Sequence, residues 1–543
     1  MKEYLEARLR DAARSAGFDI GDIDVQFERP KQAGHGDLAS NLAMLLAKAA
    51  KKNPRELASH LVNALVLDER RISSVEIAGP GFINFRFSEH YLDDQLANIL
   101  ESGSLFGRTS THAGKKANVE WVSANPTGPL HAGHGRQVCL GATLCSILEH
   151  AGWDVTREYY FNNAGNQMNN LGRSVRARYL EKCGEDVATD EIQYAGEYIA
   201  DIAALVYEEH GDKKKDAPVD YFRKAGEEWC FAHIKRTLAA LNVHHDIFFN
   251  EDSLYRDGKI QEVIDELRVR DLVYDHEGAL WLRTTKFGAD KDRVVVKSTG
   301  EPTYRLPDIA YHRDKISRGY DKVIDIFGAD HIATIPDVLA GVESLGLPVN
   351  HVDVIIHQMV SFVNEGEAVK MSKRSGNVYY LDDLIRDVGA DAVRYFFVMR
   401  GANAHLEFDV QLAREQSENN PVYYLQYAHA RIASILRFAE SEGRDLTAIP
   451  DLSRLRHPAE LTLIKALSGL PEIITLSAST YETQHICTYL HNVAGEFHRF
   501  YHECRVVTED ETLTAARLAL CRATKQVLAN GFVILGISAP ERM

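Results

Sequence analysis

Apolar and polar positions change their rhythm along this chain, and each change marks a part of it. Residues 38–50 (LASNLAMLLAKAA) and 55–66 (RELASHLVNALV) place apolar side chains at helical spacing, with Pro54 positioned to open the second helix. VEIAGPGFINFRF alternates on both sides of Gly79-Pro80-Gly81, which predicts two strands joined by a turn. Residues 101–116 are small, polar and glycine-bearing, the mark of a boundary. From 117 the texture differs. ANVEWVSANP reads as a buried strand, GRQVCLGATLCSILEHAG as a helix closing on Gly152, and WDVTREYYF as a second strand. Residues 162–245 are helical, polar and charged, and include the run Lys213-Lys214-Lys215. Apolar strand-like runs return at 321–330 (DKVIDIFGAD) and 352–360 (VDVIIHQMV). Beyond about 410 only helical period persists, as in PVYYLQYAHARIASILRFAE and ARLALCRATKQVLANGFVILG.

These patterns predict an α/β protein. Residues 109–410 form a doubly wound, Rossmann-type parallel sheet with a helical insertion at about 162–245. An α+β unit over 1–108 precedes it and an all-α unit over 411–543 follows. A length of 543 residues suits roughly three or four units, each with its own core. Hydrophobic residues at 45% and charged residues at 26% are ordinary for a globular protein. No apolar stretch of ~18 residues stands out, so a membrane span is not expected. The start, MKEYLEARLRDAARSAG, carries charges throughout and does not read as a secretory signal. Seven cysteines without a CxxC pair argue against a disulfide framework or a structural zinc site, and point to a reducing cytoplasm. The net charge of −16, from 62 basic and 78 acidic residues, is the wrong sign for a general coater of nucleic acid; RNA would have to bind through local patches.

Two motifs carry chemistry. His131-Ala132-Gly133-His134 lies between the strand ending near Pro126 and the following helix. Two imidazoles beside a glycine, at a helix N-terminus with its positive dipole, suit a triphosphate. Lys370-Met371-Ser372-Lys373 sits between Gly366 and Gly376, after the last apolar strand. Its two lysines, three residues apart, can grip polyphosphate as point charges. Alone, the first motif reads sooner as structural histidines and the second as a solvated loop. Together, both fall beyond strand C-termini, where doubly wound folds collect ligands.

With both motifs in place, the chain resembles a class I aminoacyl-tRNA synthetase. The stretch SANPTGPLHAGHGR narrows the resemblance to the arginyl-tRNA synthetase family. GHGDLASNLA, AGPGFINF, GADAVRYFF, NPVYYLQYAHARI and LGISAPERM extend it over nearly the whole chain, and KMSK is intact. The resemblance implies ATP-dependent activation of arginine to arginyl-adenylate and its transfer to the terminal adenosine of tRNA(Arg), with Mg2+ on the ATP phosphates. It further implies a cytoplasmic protein, active as a monomer, that binds neither DNA nor membrane. It makes His131, His134, Lys370 and Lys373 the catalytic groups, with Gly133, Met371 and Ser372 beside them at ATP. It puts Glu120, Ser123, Asn125, His134, Tyr304 and Asp308 around arginine, where a guanidinium calls for carboxylates able to make forked, charge-assisted hydrogen bonds. Gly328, Asp330 and His331 end the next apolar strand and are left between adenosine and arginine. Phe82 and Asn84 fall on the tRNA-elbow surface, and Gln426, Arg431, Tyr501 and Met543 on the anticodon surface; Phe82 and Tyr501 read equally well as core aromatics. A small-molecule nucleotidyltransferase and a non-catalytic tRNA-binding paralogue are the competing readings. The first has no use for the all-α unit, and the second has no need of the lysine loop or pocket acids.

Overall fold

In the computed structural model of the protein, the described residues are 1–21, 23–30, 33–188, 192–364, 366–368 and 379–543. The N-terminal unit opens with the helix Lys2–Ser15, which buries Leu5, Leu9, Ala12 and Ala13. Its four strands are β1 (Phe27–Glu28), β2 (Leu38–Ser40), β3 (Ile72–Ala78) and β4 (Phe82–Phe87), paired antiparallel in the order β1-β2-β4-β3. Residues 38–40, expected to begin a helix, are instead the buried strand β2; the helix starts after Asn41 and runs Leu42–Ala50. The helix Pro54–Ala64 has its expected proline in the first turn, and the Asn53 side chain accepts a hydrogen bond from the Arg55 amide. Gly81, at φ 141°, lies so close to Pro54 that a Cβ would sit 3.0 Å from its backbone, so the turn requires glycine.

The expected boundary at 108 falls earlier by packing. The N-terminal core ends near Phe87, whereas the helix Glu89–Ser102 buries Leu92, Leu96 and Ile99 in the same core as the C-terminal helices. The physical cause is that the apolar face of this helix turns toward Glu511–Leu535 and Pro458–Leu467.

The central unit lays down β5 (Lys116–Glu120), β6 (Asp154–Phe161) and β7 (Ile247–Asn250), then a small antiparallel sheet of β8 (Val273–His276), β9 (Ala279–Leu282) and β10 (Arg293–Val296), then β11 (Lys322–Gly328) and β12 (Val352–His357). Five strands form one parallel sheet in the order β12-β11-β5-β6-β7, with β5 at the centre. The order reverses beside β5, so a crevice opens beyond its C-terminal end. Between β6 and β7 stand the helices Gly165–Lys182, Glu197–His210 and Val219–Ala240, with a core of their own around Met168, Tyr179, Phe222 and Cys230.

A fourth sheet joins β13 (Val360–Asn364), β14 (Glu367–Ala368) and β15 (Leu406–Asp409) in the order β14-β13-β15. The remainder is helical and is built around Glu511–Leu535. Pro458–Thr480 and Glu511–Leu535 are long and apolar enough to cross a membrane by composition, which the sequence reading did not single out. Half and 72% of their most apolar windows are buried in the bundle, so their apolar character serves the core. All seven cysteines are unpaired.

Candidate active site

The site begins where β5 stops. After Glu120 the chain turns through Val122 and Ser123 at φ 72° and 44°, a left-handed conformation that a buried β-branched residue adopts only under constraint. The constraints are visible. Ser123 Oγ donates to Glu120 Oε1 at 2.8 Å and accepts from the Tyr160 amide at 3.3 Å. Asn125 accepts from the Asn162 amide at 2.9 Å and donates to Gln167 at 3.0 Å, and the Tyr159 hydroxyl donates to the Ala124 carbonyl at 2.7 Å. The loop after β5 is thus fastened to the end of β6.

That loop delivers the two histidines. The helix His134–His150 begins on the second of them, and the rings of His131 and His134 stack with centroids 3.5 Å apart. The His131 amide donates to His134 Nδ1 at 3.2 Å. The amides of His134 and Gly135 already donate to the carbonyls of His131 and Ala132. An anion here meets imidazoles and a helix dipole rather than these two amides. The Ala132 amide donates to the Tyr379 carbonyl and the Leu381 amide to the Leu130 carbonyl, both at 2.8 Å. The segment following the lysine loop is therefore bound to the histidine loop. Lys370, Met371, Ser372 and Lys373 lie outside the described residues.

Beside the histidines lies an acidic pocket. Glu120, only 3% exposed, shares it with Asp308 on the helix Arg305–Ser317 and with Glu251 just after β7. Tyr160 donates its hydroxyl to Glu251 Oε2 at 2.5 Å, and the Asn162 amide group donates to Glu251 Oε1 at 2.8 Å. Burial raises all three carboxyls above their ordinary range. Asp308 reaches about 7, because burial and the neighbouring Glu120 and Glu251 outweigh the cationic influence of His312 and Lys315. A pocket that holds an acid on the edge of ionisation, with carboxylates on several sides, is prepared for a cation carried in by a ligand.

Not every expected residue converges here. Tyr304, one turn before Asp308, is 87% exposed with its ring outside the pocket. Gly328 ends β11, while the side chains of Asp330 and His331 are exposed and the His331 ring stacks on Phe327. On the expected RNA surfaces, Phe82 is half-buried at the start of β4. Asn84 is in the middle of β4 between β2 and β3 and is 5% exposed, so no base edge can reach it. Gln426 is likewise buried, its amide spent on Asp391 at 2.7 Å and on Ser538. Arg431, by contrast, lays its guanidinium 4.4 Å over the Tyr501 ring on the half-exposed face, and Met543 is exposed. Sequence reasoning missed Tyr160, Asn162, Glu251, His312, Lys315 and Asp325. Of these, His312 and Lys315 carried a signal, since they stand four and seven residues after Asp308 on one helical face.

The sheet order and the stacked histidines beyond β5 define a class I aminoacyl-tRNA synthetase domain. Residues 95–397 match the family model described as "tRNA synthetases class I (R), catalytic domain". Residues 1–87 match "Arginyl tRNA synthetase N terminal domain" and residues 425–543 match "DALR anticodon binding domain". The chain belongs to the arginyl-tRNA synthetase family. It is 47% identical over 547 residues to a protein of Desulfotalea psychrophila named "Arginine--tRNA ligase", covering 100% of this chain and 99% of that one. A protein of the same name from Chlorobium phaeovibrioides is 48% identical over 553 residues, covering both chains fully. The fold is shared with the solved Thermus thermophilus arginyl-tRNA synthetase, at a TM-score of 0.79 and 22% identity over the full length of both.

Proposed function

We propose that the protein is an ATP-dependent arginine–tRNA ligase, and that the acidic pocket of Glu120, Asp308 and Glu251 beside the stacked histidines binds the arginine. That juxtaposition is the observation that carries the reading: a site for a cation lies next to a site for polyphosphate. An arginine carboxylate oxygen attacks the α-phosphorus of ATP, the bond to the β-phosphate oxygen breaks, and pyrophosphate leaves. The terminal adenosine hydroxyl of tRNA(Arg) then attacks the activated carbonyl, losing its proton, and AMP departs. The nucleophiles belong to the substrates, so the protein's share is positioning and charge stabilisation.

In this reading Asp308 and Glu251 face the guanidinium, while Ser123 and Asn125 shape the wall. Tyr304 closes over arginine when it is bound. His131, Gly133 and His134 border the ATP phosphates, with Lys370, Met371, Ser372 and Lys373 covering them from the other side. Gly328, Asp330 and His331 border the adenosine. Mg2+ takes oxygen ligands, which the two imidazoles do not offer, so it is assigned to the ATP phosphates themselves. Phe82, Arg431, Tyr501 and Met543 are assigned to tRNA; an Arg–Tyr pair offers both charge and a stacking face. The protein acts as a monomer in the cytoplasm. Pyrophosphate exchange measured for each amino acid, with and without total tRNA, tests the reading. Exchange should appear with arginine and no other amino acid; comparable exchange with lysine would overturn it.

A further inference from the structure

Beneath the pocket lies a buried ionic cluster that ties Glu120 to groups the reaction itself does not use. Asp325 on β11 stands directly opposite Glu120 on β5 in the parallel register, so their side chains share one face of the sheet. Over that face runs the helix Arg305–Ser317, presenting Asp308, His312 and Lys315. Lys315, with no exposed surface, donates to Asp325 Oδ1 at 2.6 Å and to Glu120 Oε2. His312 Nε2 is 2.8 Å from Asp325 Oδ2, and its Nδ1 is 2.7 Å from the Asp308 carbonyl oxygen. Both ring nitrogens face oxygens that can only accept, so the ring must donate at both and is an imidazolium.

We infer that Asp325 is a positioning residue for arginine, holding the Glu120 side chain through Lys315 and anchoring His312 against the helix turn that carries Asp308. This rests on the assignment of Glu120 and Asp308 to arginine. Asp325 is fully buried and each of its oxygens faces a cation, so it does not touch substrate. The charges of Glu120, Asp325, Lys315 and His312 sum to zero, which leaves Asp308 and Glu251 as the charges an incoming guanidinium meets. The groups that face Asp308 are His312 and Lys315 on its own helix, Glu120 from β5, Glu251 after β7, and the phenols of Tyr160 and Tyr255. His312 faces Asp325 and Lys315. Burial alone would discharge His312, but Asp325 more than offsets it and keeps the ring protonated above its ordinary range. Without that carboxylate His312 becomes neutral, and Asp308 loses the cation that favours its ionised form.

The test is the pH profile of the Michaelis constant for arginine in tRNA-supported pyrophosphate exchange, for wild type, Asp325→Asn, His312→Gln and Asp308→Asn, each with a melting curve. Glutamine at 312 keeps a donor for one of the two oxygens but removes the charge. Asp325→Asn and His312→Gln should raise the arginine constant about tenfold at pH 7, the scale of one charge-assisted hydrogen bond. Both should recover as pH rises, with the constant for ATP unchanged. A fall in kcat with the wild-type pH profile, or equal losses for arginine and ATP, would show that Asp325 is merely structural and overturn the inference. If Asp325→Asn does not fold, His312→Gln decides alone, and a wild-type profile there overturns it. Should Asp308→Asn leave arginine binding intact, the pocket assignment itself fails. Weakened binding in Asp308→Asn with wild-type profiles in the other two removes only the role of Asp325.

Discussion

Asp308 shows how much one side chain's surroundings decide. The type of residue and its spacing from Tyr304 were legible in the sequence, because a guanidinium ligand calls for a carboxylate. Its ionisation was not, because Glu251 and Glu120 reach it only through the sheet. With a carboxyl held near 7, the unliganded pocket is protonated below that pH, and arginine must displace the proton to bind. The sign is fixed: affinity rises as pH increases through 7 and levels off above it. The arginine Michaelis constant should fall by up to about tenfold per pH unit below 7. Titration calorimetry at pH 6 in buffers of different ionisation enthalpy should register proton release on binding, and a buffer-independent heat would refute this. Asp308→Asn keeps the shape and loses the charge. Arginine binding should weaken by roughly 2–5 kcal/mol while ATP binding is nearly unchanged, as separate titrations would show. Asn84 and Gln426 teach the opposite lesson. Both are polar residues that sequence placed at RNA; the fold buries both, and spends the Gln426 amide on Asp391 and Ser538.

At the scale of elements, the helix His134–His150 sets the site because it cannot shift against the sheet. A Cβ on Gly141 would stand 2.2 Å from the fully buried ring of Trp121. Arg136, buried in the first turn, donates to the carbonyls of Gln358 and Gly401 at 2.8 Å each, fastening the helix to the end of β12. Alanine favours helices over glycine by about 1 kcal/mol, but overpacking against a rigid indole costs about 1–3 kcal/mol. Gly141→Ala should therefore lower the thermal midpoint and reduce exchange activity, and an unchanged melting curve would contradict this packing. Lys373→Ala should lower the activation rate on the order of 10²-fold, with a much smaller change in the arginine Michaelis constant, if its charge acts in the transition state. Single-turnover kinetics separate the two. Four of the five parallel strands were legible as apolar runs. β7 escaped notice because IFFN is four residues long at the sheet edge and half-buried throughout, too short for a pattern.

For the whole molecule, the domains named by sequence share more than a linker. One continuous core runs from Cys139 and Leu148 of the histidine helix to Phe532 and Leu535 of the C-terminal helix. Arg394 donates to the carbonyls of Leu535 and Leu241, and Asn530 donates to those of Gly103 and Phe106. Ion pairs Lys465–Asp37 at 2.6 Å and Lys2–Glu472 at 2.5 Å tie the N-terminal unit to the same bundle. Removing residues after 410 should therefore unfold or aggregate the remainder by exposing this core, as well as abolish anticodon contact. Circular dichroism of the truncated chain would report it, and a cooperative melt at the full-length midpoint would disprove it. The sequence by itself determined the class of fold, the order of its units, and the residue types at 131–134, 370–373, 120 and 308 on which the proposed site rests. Those depend on local period and on residue types that few other chemistries call for. Only the tertiary structure decided that Glu251, His312, Lys315 and Asp325 join the site, and that helix 89–102 belongs to the C-terminal core. Such partners are brought together by strand order and helix packing, and the period of apolar residues along a chain does not record which faces meet.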